Sequence, residues 1–121
     1  KTLLSIDERK NIIENDIFSM QQNNKKIEIY TVNGLLTEFA KKCNADCIIR
    51  GLRAVSDFEY EFQLAGMNKK LNSNIETVFL MSDVENQIIS SKFVKEIVKL
   101  KGNIKKFTTK STIKALERKY V

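Results

Sequence analysis

Short apolar runs at residues 27–32, 46–50 and 76–81 alternate along the chain with segments of helical periodicity, and the connections between them are only a few residues long. A strand that is followed by a helix and then by another strand returns through a crossover. Crossovers make parallel pairs, in sheets whose faces are covered by helices. Residues 27–32 are short and β-branched, and residues 35–42 place Leu35, Leu36, Phe39 and Ala40 on one helical stripe. Residues 46–50 are again short and apolar, residues 57–72 read as a long helix, and Glu76 to Met81 read as a buried strand. Residues 91–101 predict a helix stopped by Gly102, and residues 112–119 a last one. Near the amino end, Ser5 and Glu8 have the spacing of a capping box, and Ile6, Ile13, Ile17 and Met20 share one helical face behind it. The pattern predicts an α/β fold with a parallel sheet and helices on both faces.

No proline, no self-similar repeat and no glycine-, serine- or proline-rich stretch interrupts the 121 residues, so the chain reads as a single domain over residues 1–121. At this length one core buries roughly two thirds of the surface of the unfolded chain. No apolar run reaches the roughly 18 residues of a membrane span, and no secretory pattern opens the chain. The expectation is a soluble, cytoplasmic protein with no membrane partner. Cys43 and Cys47 stand four apart without a histidine anywhere to complete a tetrahedral metal site, and read as reduced, partly buried thiols. The 21 basic against 15 acidic side chains leave a formal charge of +6, which favours anionic partners. Only Arg9, Arg50, Arg53 and Arg118 are arginines; the lysines mostly occupy positions that read as solvated helix faces and loop ends. A basic nucleic-acid-binding module would interleave aromatic residues with those lysines. Most of the ten aromatic residues fall on apolar stripes instead.

Ligands of parallel α/β sheets sit beyond the carboxyl ends of strands, near helix amino ends. Two segments qualify. Ile49-Arg50-Gly51-Leu52-Arg53 leaves a strand and enters a helix, presenting two guanidiniums suited to bidentate phosphate binding and a glycine that permits close backbone approach. Ile88-Ile89-Ser90-Ser91-Lys92 gathers hydroxyls, backbone N–H groups and a lysine at a helix start. Taken singly, Arg-x-x-Arg recurs by chance, Ser-Ser before a helix is commonly an N-cap, and Asp57, Glu59 and Glu61 are explained by compensation of a helix dipole. Together, two phosphate cradles suggest a nucleotide. The long helix carries Phe58, Phe62 and Ala65 on one side and Tyr60, Leu64, Met67 and Leu71 on nearly the opposite side, which predicts two partners, the chain's own sheet and a neighbouring subunit.

The uninterrupted string Arg50-Gly51-Leu52-Arg53-Ala54-Val55-Ser56-Asp57-Phe58-Glu59-Tyr60-Glu61 has more to say than either segment alone. With Gln63-Leu64-Ala65, Met67-Asn68, Glu76 to Met81, Ile89-Ser90-Ser91 and Val94-Lys95-Glu96, it closely resembles the bacterial phosphopantetheine adenylyltransferases. The resemblance implies a nucleotidyltransferase-type, Rossmann-like fold that transfers AMP from ATP to 4′-phosphopantetheine, giving dephospho-coenzyme A and pyrophosphate in coenzyme A biosynthesis. It further implies Mg²⁺ as cofactor, dephospho-CoA or CoA as product-type ligand, a cytoplasmic homohexamer and no nucleic acid. By the same resemblance Arg50 contacts the phosphopantetheine phosphate, and Leu36 lies where an apolar residue meets the pantetheine arm. Gly51, Leu52 and Arg53 hold ATP, Glu61 matches a nucleotide-contacting carboxylate, and Asn86, Gln87, Ile88, Ile89, Ser90, Ser91 and Lys92 overlie the family's ATP loop. Asn86 replaces a common aromatic residue, which removes adenine stacking, and Lys92 replaces a common third serine, which adds a cation for phosphate.

The family's first strand and glycine-rich turn, with a Thr-x-Gly-His motif, would precede Lys1. By resemblance, then, the 121 residues are an N-terminally incomplete adenylyltransferase domain, lacking the first strands and the catalytic histidine and inactive alone. Lys1 falls at, or one residue beyond, the family's phosphate-binding lysine and is the one catalytic candidate within the chain. The rival expectations are a catalytically silent α/β scaffold kept for oligomerisation and the basic nucleic-acid-binding module.

Overall fold

A computed structural model describes residues 2–20 and 26–120. The elements in chain order are α1 (Ile6–Met20), α2 (Leu36–Lys42), β1 (Cys47–Leu52), α3 (Val55–Leu71), β2 (Glu76–Met81), a 3₁₀ turn (Val84–Asn86), α4 (Ser91–Lys99) and α5 (Lys110–Tyr120). β1 and β2 pair in parallel, from Cys47 opposite Glu76 to Leu52 opposite Met81, with α3 as the crossover between them. The α/β class and the parallel pairing are as the alternation predicts. No described helix is long and apolar enough to cross a membrane.

The contacts gather into two compact units, Lys1–Thr31 with Ile89–Val121, and Val32–Ile88. In the unit of residues 32–88, Ala40, Ile48 and Ile75 form a buried cluster against which Leu36 and Ala45 pack, and Leu52 is buried as well. Alternation along β1 sends Ile48, Arg50 and Leu52 to one face and Cys47, Ile49 and Gly51 to the other. Ile49 (63% exposed) and its register partner Val78 lie on that second face, as does Leu80 (59% exposed). β2 is therefore not the buried strand its apolar run suggests. Phe58 on α3 meets Phe79 edge-on at a centroid distance of 6.2 Å, which seats the helix on the face that carries Arg50.

α3 starts two residues before the expected Asp57 and buries an unexpected stripe. Asp57, Glu61, Leu64, Ala65 and Asn68 are half-buried, while Phe58, Tyr60, Phe62, Met67 and Leu71 are exposed. The apolar periodicity marks side chains that are largely left in water, and besides the Phe58–Phe79 contact the helix meets β1 through Glu61. Residues 27–32, expected as a strand, lie outside the sheet. A β-branched run becomes a strand only when a neighbour supplies its ladder. Cys43 and Cys47 are free thiols, and both are exposed rather than partly buried.

In the unit of residues 1–31 and 89–121, Val94, Val98, Ile104 and Leu116 are buried, with Leu3, Leu4, Ile89, Ile97, Phe107 and Ile113 packed around them. The capping box of α1 forms as read: Ser5 N donates to Glu8 Oε2 (2.7 Å) and Glu8 N to Ser5 Oγ (3.1 Å). Of the apolar face expected of α1, Ile17 is half-buried, while Ile6, Ile13 and Met20 are exposed. Polar contacts tie α1 to α5 and the residue before it, Lys119 Nζ to Glu8 Oε1 at 2.8 Å and Thr109 Oγ1 to Asp16 Oδ2 at 2.7 Å. α5 begins at Lys110, two residues earlier than expected, because Thr109 Oγ1 accepts from Thr112 N (3.3 Å) as its N-cap. α4 ends at Lys99, short of the expected Lys101. Lys101 N donates to Val98 O and Gly102 N to Ile97 O, both at 2.8 Å, with Lys101 at φ +59°. That is a Schellman arrangement whose left-handed residue is the lysine rather than the glycine.

Candidate functional site

Arg50 lies on β1 and faces α3. Its Nε donates to Glu61 Oε2 at 2.8 Å and its Nη2 to Glu61 Oε1 at 2.6 Å, a fork-to-fork pair across eleven residues. The Arg50 side chain is 39% exposed and that of Glu61 only 12%. Hydrogen bonding to Arg50 holds the Glu61 carboxyl below the ordinary carboxylate range, and the same bonds raise the Arg50 guanidinium further above its own. Both groups are charged at neutral pH. Nη1 of Arg50 has no partner among the described residues, so the outer edge of the fork remains available to an anion.

Arg53 stands between the end of β1 and the first turn of α3. Asp57 Oδ2 accepts from both Arg53 N and Arg53 Nε at 3.1 Å, and Oδ1 from Nη2 at 3.4 Å. Ala54, the N-cap of α3, has no side chain to offer the orphan N–H groups of the first turn. The Asp57 carboxylate, at the third helical position, reaches back past it to the N–H of Arg53. Its bonds to the Arg53 side chain, and then to the Arg53 backbone, lower the pKa of Asp57. Between the arginines, Gly51 borders open space, with nothing within 4 Å of where a Cβ would lie, and Leu52 anchors the strand end in the core. Leu36, in the first turn of α2, is half-buried and packs on the Ala40, Ile48 and Ile75 cluster.

The second segment runs from the 3₁₀ turn into α4. Asn86 N donates to Asp83 O (2.9 Å), Gln87 Nε2 reaches Ser82 O (3.4 Å), and Ile88 is exposed. Ile89 packs on the core of its own unit. Ser90 is the N-cap of α4, its Oγ accepting from Phe93 N at 3.2 Å, and Ser91 and Lys92 follow in the exposed first turn. Ile89, Ser90 and Ser91 border a cavity of about 360 Å³ shared with Leu3, Leu4, Arg9, Val94, Lys95, Phe107 and Thr112. Sequence reasoning missed Arg9 and Lys95 as lining cations. The signal for Lys95 is its place one turn beyond Ser91 on the same helix face. It also missed Asp57 and Glu61 as partners of the two arginines. Lys1 lies outside the described residues. Among the described residues, no three acidic or sulfur-bearing side chains come together to hold a metal ion.

Residues 1–97 match the cytidylyltransferase-like family model. Over 114 residues the chain is 66% identical to the phosphopantetheine adenylyltransferase of Pelagibacter ubique (strain HTCC1062), covering 93% of this chain and 70% of that protein. It is 48% identical over 119 residues to the enzyme of that name from Desulfitobacterium hafniense (strain DSM 10664 / DCB-2), covering 98% of this chain and 71% of that one. For the one from Cereibacter sphaeroides (strain ATCC 17029 / ATH 2.4.9) the identity is 45% over 118 residues, covering 98% and 73%. Identities of this size across nearly every residue, on a matching α/β fold, make the chain a member of the phosphopantetheine adenylyltransferase family.

Proposed function

We propose that this protein transfers the adenylyl group of ATP to the phosphate of 4′-phosphopantetheine, releasing pyrophosphate and forming dephospho-coenzyme A. The observation that carries the reading is the pair of arginines three apart at the carboxyl end of β1, each gripped by a carboxylate of α3. In a parallel sheet that end is where ligands bind, and two separately held guanidiniums suit a reaction between two phosphate-bearing molecules. Arg50 is assigned to the phosphopantetheine phosphate and Arg53, with the backbone of Gly51 and Leu52, to the phosphates of ATP. Leu36 is assigned to the pantetheine arm, and residues 86–92, with the amino end of α4, to the nucleotide.

The reaction needs no covalent nucleophile. A phosphate oxygen of phosphopantetheine attacks the α-phosphorus of ATP, the new P–O bond forms in line with the departing oxygen, and the α–β bridge breaks as pyrophosphate leaves. Catalysis then consists of holding two anions in line and meeting the charge that moves onto pyrophosphate. Guanidiniums already fixed by carboxylates meet that charge without having to reorient.

Mg²⁺ is part of the proposal, yet the described residues do not form a cage for it, and the acids beside the arginines are occupied by guanidiniums. Were it bound, it would supply neutralisation of the phosphate charge of the nucleotide, with no side chain of the described residues assigned to hold it. A cytoplasmic homo-oligomer, a hexamer by resemblance, also belongs to the proposal. The apolar side chains that α3 leaves exposed support it. Dephospho-CoA and CoA are the product-type ligands expected at the same place.

Pyrophosphate release from ATP, dependent on added phosphopantetheine and accompanied by dephospho-CoA, is the expected result with the protein as it occurs in the cell. A silent scaffold or a nucleic-acid-binding module releases none.

A further inference from the structure

We infer that Asp57 and Glu61 are positioning residues that aim the two site arginines, Glu61 holding Arg50 toward one ligand and Asp57 holding Arg53 toward the other. The inference rests on the ligand assignments proposed above, but its geometry stands without them. Residues 57 and 61 are one turn apart on the half-buried stripe of α3, so they face the strand end together. The arginines stand three apart, one within β1 and one beyond its end. Each carboxylate therefore meets a different guanidinium.

The atoms used are informative. Glu61 takes Nε and one Nη2 hydrogen of Arg50, the inner edge of the fork, and leaves the outer edge pointing away from the helix. Both Glu61 oxygens accept from Arg50 in that pair, so its carboxylate acts through the arginine on the ligand that Arg50 holds. Asp57 takes Nε of Arg53 in the same way, and also its backbone N–H, which ties side chain and main chain to one anchor. Two side chains that are 39% and 45% exposed would otherwise sample many rotamers.

A purely structural role for these pairs makes a different prediction, and ligand selectivity separates the two. ATP and phosphopantetheine are titrated separately by calorimetry into the full protein and into its Glu61→Gln and Asp57→Asn variants, which keep side-chain size. Glu61→Gln is expected to weaken phosphopantetheine about 10-fold and ATP less than about 2-fold, and Asp57→Asn to do the reverse. Asp57→Glu, which keeps the charge, should recover part of the ATP affinity. Equal weakening of both ligands by either variant, or no weakening, overturns the inference. A second readout needs neither ligand nor turnover: the Nε–H proton resonance of Arg50 should be slow to exchange in the unaltered protein and fast in Glu61→Gln. If it exchanges equally in both, Glu61 does not hold Arg50. Pyrophosphate release by the unaltered protein, measured in parallel, bears on adenylyl transfer alone.

Discussion

The end of α4 offers a test in which two adjacent residues should respond in opposite directions. Gly102 donates its N–H to Ile97 O, and its φ is not in the left-handed region, so backbone freedom does not explain the glycine. Space does. A Cβ built on Gly102 would lie 2.6 Å from Ile97 Cγ2 and 3.1 Å from Ile97 O. Relief requires a movement of about 1 Å to reach an ordinary carbon contact, and neither neighbour gives easily. Ile97 is β-branched within a helix, where one χ1 rotamer dominates, and its carbonyl is already an acceptor of the cap. Gly102→Ala should therefore cost about 1–3 kcal/mol, the range for overpacking a filled site. Lys101 is the opposite case: it carries the left-handed φ, which costs a non-glycine residue about 1–2 kcal/mol. Lys101→Gly removes that cost and adds about 0.5–1 kcal/mol of unfolded-chain entropy, for a net gain of about 0.5–1 kcal/mol. Urea denaturation followed by circular dichroism measures both, as shifts in midpoint at constant slope. Equal stability of Gly102→Ala and the unaltered protein would refute the steric argument, and a destabilised Lys101→Gly would refute the cap assignment.

Arg50→Ala should raise the Michaelis constant for phosphopantetheine and Arg53→Ala that for ATP, each by about 10- to 100-fold, in steady-state pyrophosphate release; indifference of all kinetic constants would sink the site assignment. The Glu61 carboxyl is held low in the folded state, so its pair with Arg50 stabilises the fold above the unfolded carboxyl pKa and fades as pH falls through the folded one. Denaturation of a double-mutant cycle with Glu61→Gln should give a coupling of about 1 kcal/mol at pH 7, discounted for the exposure of Arg50, and less at pH 3. Thr37 is 1% exposed and its Oγ1 has no hydrogen-bond partner among the described residues, so Thr37→Val should raise stability by about 1 kcal/mol, read as a higher urea midpoint. Ser90→Ala should lower stability by about 1 kcal/mol through loss of the α4 N-cap, whatever it does to ATP affinity.

What could be read from residues alone is what local hydrogen bonding decides. Ser5 and Glu8 cap α1 because both partners lie within one turn, and the parallel pairing of β1 with β2 follows from the length of the crossover between them. Residues 27–32 failed as a strand because a ladder is a relation to another segment, which β-branching alone cannot supply. The stripe of α3 departs from its apolar periodicity for a related reason. Counting apolar residues finds Phe58, Phe62, Tyr60 and Met67, but the rotation of the helix on β1 turns Asp57 and Glu61 inward. At the site, residue type and position mark the arginines as candidates for phosphate, and the structure places both at the carboxyl end of β1, each against a carboxylate. Those partners were not legible, since an acid in the first turns of a helix is already explained by the dipole. Only the register of α3 against β1 distinguishes that explanation from a brace.

The two candidate segments handle charge differently, and this bears on how an excess of positive charge can be used. Arg50 and Arg53 are each balanced by a carboxylate in direct contact, so they add little to the +6 net charge of the chain. In the proposed site they would act on an anion by the direction of their N–H groups at close range, where geometry decides which phosphate is accepted. Lys92 and Lys95, among the described residues, form no ion pair, and their charge is uncompensated. A compact ammonium on a flexible stem attracts any phosphate within a Debye length and selects poorly among them. The arginines are thereby suited to discrimination and alignment and the lysines to attraction. If the proposed assignment holds, added salt should weaken the lysine contribution first and leave the order of preference among phosphate ligands unchanged.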